Sequence, residues 1–171
     1  MQFGSAPRPA QRVGYLQIAE GKEGIRQTLL LMADIVRRYR ANPAVLTKAR
    51  ELTRSLRQKD YYGEIRAMHE FVRDSIRYVK DPVGVETVAT PDQTLAIGQG
   101  DCDDKAVLVA AMLEALGHDC RFVAVGFSPG EFTHVLVQTR AGPGWVNVET
   151  TEPVALGWGP PGVRASYVVD I

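Results

Sequence analysis

Two cysteines and three histidines are the side chains here best suited to nucleophilic or metal chemistry. Cys102 follows Gly98-Gln99-Gly100-Asp101 and opens a predicted amphipathic helix from about Cys102 to Leu116, stopped by Gly117. The first backbone N–H groups of a helix have no intrahelical partner, and with the helix dipole they favour a thiolate, the nucleophilic form of cysteine. Gly98 and Gly100 are expected to leave room there for a substrate backbone. Cys120 begins a predicted strand and reads as a small core residue.

Partners for such a thiol lie downstream. His134 alternates with Val135 and Val137 in a predicted strand over Phe132–Thr139. Glu149 ends the next strand, Gly144–Glu149, with Asn147 and Trp145 on the same predicted face. Pairing of these strands as a hairpin sets an acid or an amide beside the imidazole, where it holds the ring tautomer. Glu149 is the first choice for this role and Asn147 the alternative. The backbone N–H of Cys102 is the leading oxyanion donor, with Gln93, Gln99 and Tyr78 as side-chain candidates. His118, after Gly117, is expected to cap the preceding helix, and His69, between Met68 and Glu70, to lie on a helix surface.

Asp101, Asp103 and Asp104 surround the sulfur and oppose its ionisation. One unit charge ~7 Å away at an effective dielectric of 20–80 costs about 0.6–2.4 kcal/mol, whereas an imidazolium at ~3.5 Å returns about 5 kcal/mol at the lower dielectric. The histidine outweighs any one carboxylate but not clearly all three. Asp101 is therefore expected to cap the helix, and Asp103 and Asp104 to point elsewhere and pair with Lys105 or another base. The three acids are also a candidate calcium site, although calcium takes six to eight oxygen ligands. Helix capping is the reading preferred, with no metal. A zinc set of Cys102, His118, Cys120 and His134 matches no known spacing, and Gly98–Lys105 lacks the G-x-x-x-x-G-K-[ST] phosphate loop.

The elements that must position these residues follow from periodicity. Ile25, Leu29, Met32, Ile35, Val36 and Tyr39 recur at helical spacing. Val45 to Leu56 form a second stripe, with Pro43 as first residue of its helix. A third helix runs from about Tyr61 to Tyr78, with Ile65, Met68, Phe71, Val72 and Ile76 inward. Asp81–Pro91 reads as a loop and Pro91–Ile97 as a helical turn. Beyond Gly117 the period becomes two, over Arg121–Phe127, Phe132–Thr139, Gly144–Glu149 and Ser166–Asp170, the first three in an antiparallel meander. Gly157–Gly162, with Trp158, Pro160 and Pro161, reads as a long turn, with packing at an edge preferred over bordering a substrate groove. The plan is α+β, one long helix against a sheet. Residues 1–15 are expected to be a flexible tail and 16–171 one domain, divided into a helical extension (16–60) and a core (61–171).

Length and composition agree. The chain has 171 residues, 45% hydrophobic and 23% charged, with net charge zero, enough for one sizeable core. Its longest apolar runs, Leu29–Ala33 and Ala106–Met112, are far short of the ~20 residues that span a bilayer. Met1–Gly14 has no apolar centre, so no secretory signal is expected, and residence in the cytoplasm is. Residues 1–60 hold 12 Lys/Arg against 5 Asp/Glu, leaving the remainder acidic. No aromatic residues interleave with these arginines, so nucleic acid is not an expected partner; they read as solvated faces pairing with the acidic half.

Gly100-Asp101-Cys102-Asp103-Asp104-Lys105-Ala106, His134-Val135 and Trp145-Val146-Asn147-Val148-Glu149-Thr150-Thr151 together resemble the transglutaminase-like cysteine-protease superfamily, above all its bacterial and phage-encoded members. The usual elements there are a G-x-C helix start, an H-x-x-V strand and a W-x-x-x-D-P-T strand end, and the likeness covers about residues 60–155. It implies a papain-like core with a cysteine-bearing helix on an antiparallel sheet, and a catalytic triad at Cys102, His134 and Glu149. Glu149 replaces the usual Asp and Thr150 the usual Pro. The implied activity is that of a cysteine peptidase or amidase acting on a peptide or protein. Calcium has a precedent among the related adhesin-cleaving proteases. The rival implication is a weakly active or inactive assembly protein of a phage particle, located in the virion with other phage structural proteins as partners.

Overall fold

The computed structural model describes residues 21–81 and 87–171; the expected tail over 1–15 and part of the Asp81–Pro91 loop lie outside them. Helix α1 (Gly21–Tyr39) buries Leu29, Met32, Ala33 and Val36 on one face. Asn42 caps α2 (Pro43–Thr53) by accepting the Ala44 N–H at 2.9 Å, with Pro43 in the first turn where its missing N–H costs nothing. Asp60 caps α3 (Tyr61–Ser75) in the same way through Gly63. The third helix therefore ends earlier than its apolar spacing predicts, because Ile76 turns to extended backbone and Arg77–Tyr78 form a short strand, β1.

That strand was not foreseen. It pairs in parallel with β2 (Gln99–Gly100), which follows α4 (Pro91–Ile97). Arg77 N–H donates to Gly98 O at 2.9 Å and Val79 N–H to Gly100 O at 3.0 Å. Two residues are too few to show a period, so only the fold reveals the pair. Its consequence is local: the peptide leading into Cys102 is clamped to the end of α3.

Helix α5 (Cys102–Ala115) is the axis of the molecule. Every residue from Asp104 to Leu113 is buried, so α5 is not the amphipathic helix expected but one enclosed on all sides. Helices α1 to α4 and the sheet all pack on it, and Ala106, Ala110 and Ala111 permit the close approach. Residues of α1 and α2 share one core with α5 and the sheet. Strands β3 (Cys120–Gly126), β4 (His134–Ala141) and β5 (Gly144–Val148) form the expected meander. The last strand, β6 (Ala165–Asp170), returns beside β3, giving the antiparallel order β5-β4-β3-β6. No described helix is long and apolar enough to cross a membrane. Arg40 reaches across to Glu114 at 3.2 Å, but Arg26, Arg38 and Lys48 pair inside their own helices. Pairing of the basic half with the acidic half is thus partly replaced by short-range pairs.

Candidate active site

The start of α5 is built by its acids. Asp101 Oδ1 accepts the N–H groups of Asp103 (3.0 Å) and Asp104 (3.2 Å), and Asp104 Oδ2 accepts the Asp101 N–H at 3.3 Å. This reciprocal cap leaves the Cys102 N–H outside it. Asp104 Oδ1 also accepts the Ala89 N–H at 2.7 Å, so Asp104 does not pair with Lys105. The Lys105 ammonium instead donates to Ile76 O at 2.7 Å and Arg73 O at 3.3 Å, carbonyls at the end of α3. Burial, the largest influence, lowers the Lys105 pKa against the opposing charges of Glu149 and Asp74. Burial likewise raises Asp101 to about 6, helped by the charge of Asp104, and raises Asp104.

The two glycines before Cys102 serve the chain itself. Gly98 takes a left-handed conformation (φ 70°) to end α4. A Cβ on Gly100 would come within 2.5 Å of the Asp104 Cβ, so its bareness admits the capping side chain rather than a substrate.

The Cys102 thiol donates to Asp103 Oδ1 at 3.5 Å and is part-buried. Its pKa is raised, first by burial and then by the Asp103 and Asp101 carboxylates, while the Val135 N–H facing it pulls the other way. Desolvation and the adjacent anions thus oppose the thiolate that the helix start favours. The Val135 contact sets the sulfur beside the first residues of β4, where His134 stands.

His134 and Glu149 meet directly, Nε2 to Oε2 at 2.6 Å. Glu149 is 1% exposed, and its other oxygen accepts the N–H groups of Thr151 (2.7 Å) and Glu152 (3.3 Å). Burial is the largest influence on Glu149 and would raise its pKa. The hydrogen bond and charge of His134 with the two N–H donors prevail, and the pKa is lowered. An ionised carboxylate only accepts, so neutral His134 carries its proton on Nε2 and keeps Nδ1 as its basic nitrogen. The β4–β5 ladder stops at Val137↔Val148. Continuing its register would set Thr151 opposite His134, so residue 149 reaches diagonally, a span that the extra methylene of glutamate helps to cover.

The alternative third member is engaged elsewhere. Asn147 Oδ1 accepts from Gln138 at 2.7 Å, and its carbonyl accepts the Gly157 N–H at 2.9 Å. Gln93 helps cap α4 through Thr90, and Gln99 accepts from Arg77 at 2.7 Å. Tyr78 is the upstream side chain that does line the cleft at the site. Its phenol pKa is raised, by burial first and then by Cys102, Asp101, Asp103 and Glu152, which keeps it a hydrogen-bond donor. The cleft has a volume of about 520 Å³ and is bounded also by His134, Glu149, Phe127 and Glu152, with Trp158, Pro160 and Pro161 from the Gly157–Gly162 turn, so that of its two expected places the groove border is the one observed.

His69 overturns its expected place. It is wholly buried, and its Nε2 donates to the main-chain carbonyl of Glu149 at 2.6 Å. The signal was present: 69 falls four residues after Ile65 and three before Val72, on the inward stripe. Burial, the largest cause, lowers its pKa below the ordinary 6.5. The unfolded chain therefore binds a proton that the native state refuses, and stability contributed by neutral His69 is lost as pH falls below 6.5. His69→Phe is expected to cost about 1–3 kcal/mol at pH 7.5 by leaving the Glu149 carbonyl unpaired, and to flatten the stability profile between pH 7.5 and 5.5. Urea denaturation at several pH values checks both. His118 does close α5, through its backbone N–H to Leu113 O at 3.1 Å, while its ring turns away to meet Glu64 at 2.8 Å. Cys120 is buried, with its pKa raised chiefly by burial, as a core thiol should be.

Asp101, Cys102 and Asp103 bring one ligand atom each within 4.8 Å of one another. Calcium prefers six to eight oxygens and does not favour sulfur. Asp101 Oδ1 already accepts two backbone N–H groups, and two carboxylates beside a thiol fall well short of a calcium shell, so this set among the described residues does not by itself fit calcium.

A thiol at the mouth of a buried helix, an imidazole on the neighbouring sheet and a carboxylate behind it define a papain-like α+β fold of the transglutaminase type. The family model of the transglutaminase-like superfamily matches residues 47–150, and the chain belongs to that superfamily. No curated protein sequence matches the chain. Among solved structures it is similar to a candidate protease of Parabacteroides distasonis (17% identity, TM-score 0.53, 66% of this chain and 24% of that one). It is similar also to a candidate cysteine protease of Cytophaga hutchinsonii (16%, 0.55, 82% and 55%). A third similar structure is calcium-bound LapG of Legionella pneumophila (18%, 0.55, 80% of each chain). The chain thus spans about a quarter and about half of the first two.

Proposed function

We propose that this protein is a thiol acyl-transfer enzyme, a cysteine peptidase or amidase with Cys102, His134 and Glu149 as its triad. The observation that carries the reading is the buried, ionised Glu149 bound to His134 Nε2 at 2.6 Å, since it leaves Nδ1 to take the thiol proton. In this mechanism the Cys102 sulfur attacks a substrate carbonyl carbon as its proton passes to His134. The Cys102 N–H and the Tyr78 hydroxyl receive the developing oxyanion. His134 then protonates the departing amine, and water, deprotonated by the same ring, hydrolyses the thioester. The protease-named structures of like fold favour hydrolysis over transamidation, and peptides or proteins as substrates.

A second reading draws on the raised thiol pKa: a weakly active or inactive chain that keeps the fold. Its placement in a phage particle has no support in the comparisons. Alkylation distinguishes the two readings. Iodoacetamide is expected to modify Cys102 well before Cys120, and Asp103→Asn to speed modification of Cys102 roughly three- to thirtyfold at pH 7 by removing one opposing charge. Mass-spectrometric peptide mapping over time reads both. Because Cys120 is buried and labels slowly under either reading, the deciding readout is the rate at Cys102 against a free thiol such as glutathione: a rate no faster than that would favour the inactive chain.

A further inference from the structure

We infer that the cleft selects a peptide segment carrying a bulky apolar side chain next to a lysine or arginine, and disfavours acidic segments; this substrate class rests on the peptidase reading above. Beside the polar His134, Glu149, Glu152, Thr133 and Thr151, the cleft has an apolar wall of aromatic and proline side chains. Tyr78 and Phe127 line the cleft while 45% and 44% exposed, leaving aromatic surface in water that a substrate side chain would cover. Trp158 is held on a turn pinned to β5, with the Gly157 N–H on Asn147 O at 2.9 Å and the Trp158 N–H on Ala155 O at 3.2 Å. A Cβ on Gly159 would lie 2.9 Å from Asn147 Nδ2, so this turn sits tightly on the strand. Pro160 and Pro161 continue the wall. A wall already rigid loses little entropy when a ligand binds.

The charge of the cleft has one sign. Apart from the His134–Glu149 pair, the charged lining residue among those described is Glu152, whose side chain is exposed. Its backbone N–H serves Glu149, so the side chain can be replaced with that hydrogen bond kept. Asp101 and Asp103 add to the negative field felt at the Tyr78 hydroxyl, and no lysine or arginine lines the cleft among the described residues. A cationic substrate group is attracted by this field, and an anionic one is repelled by it and by the carboxylates around the sulfur.

The test begins with a digest of a proteome-derived peptide library by the full chain, with Cys102→Ala as control. Matched peptides follow, differing only in Lys, Gln or Glu beside the apolar residue. Charges ~7 Å apart at an effective dielectric of ~40 predict that kcat/KM for Lys exceeds that for Glu by roughly ten- to fiftyfold, with the ratio shrinking in 0.5 M salt. Glu152→Lys is expected to abolish or reverse the order. Cleavage that depends on Cys102 but treats the three peptides alike, or an order unmoved by Glu152→Lys, overturns the inference and leaves the peptidase reading standing. If no library peptide is cleaved, the peptidase reading fails. Fluorescence anisotropy of the same peptides on the Cys102→Ala protein then decides the inference separately: Lys bound tighter than Glu upholds it, and equal binding overturns it.

Discussion

Cys102→Ala is expected to lower Cys102-dependent peptide cleavage at least about a thousandfold while the melting temperature changes by only a few degrees. Loss of a nucleophile removes the covalent route altogether, and what survives in such enzymes comes from binding and oxyanion contacts alone. The fold should tolerate the change. The thiol donates a single long contact to Asp103, and the helix start is held by Asp101 and Asp104. Activity measured on library peptides, with thermal unfolding as the control for folding, tests this. Retention of cleavage within tenfold would remove Cys102 from the chemistry.

Glu149→Gln carries the second large effect, and its reason lies in donor counting. Both glutamate oxygens accept: one holds His134 Nε2–H, the other the N–H groups of Thr151 and Glu152. Glutamine has one accepting oxygen. Two fixed backbone donors claim it, and the amide NH₂ turns toward His134. The ring must then present Nε2 as acceptor and carry its proton on Nδ1, toward the thiol, where it can no longer serve as a base. A loss in kcat of roughly a hundred- to ten-thousandfold is expected. Nitrogen-15 chemical shifts of the imidazole should show the tautomer change without substrate. Activity within threefold of wild type, or an unchanged tautomer, would refute the role. A stability signature accompanies it. The native pKa of Glu149 is depressed below its ordinary 4.5, so the carboxylate contributes stability above that value and loses it as pH falls through the native pKa. The variant lacks that contribution.

Much of this arrangement was legible in the amino acids. The cysteine at a helix start, the histidine opening a strand and the acid just past the next strand lie close together in the chain's second half. Neighbouring elements of that kind pack by simple rules: a meander follows from short Gly/Pro turns, and α5 from an apolar run bounded by a cap and a glycine. Asp101 as cap and Cys120 as core thiol were also readable, because both depend on residues within a few positions.

Four features were decided only by the tertiary structure. The β1–β2 pair joins residues 22 apart through two-residue strands, too short for periodicity to register. His69 touches Glu149 across 80 positions, and its inward place mattered only once something polar was there to meet it. Glu149 rather than Asn147 meets His134, because the Thr151 and Glu152 N–H groups hold the carboxylate in place while Gln138 takes the Asn147 amide oxygen, and pattern alone is blind to such competition. The burial that raises the Cys102 pKa was equally out of sight. A helix dipole is a local property that the chain encodes directly, whereas desolvation depends on how many distant atoms close over the sulfur.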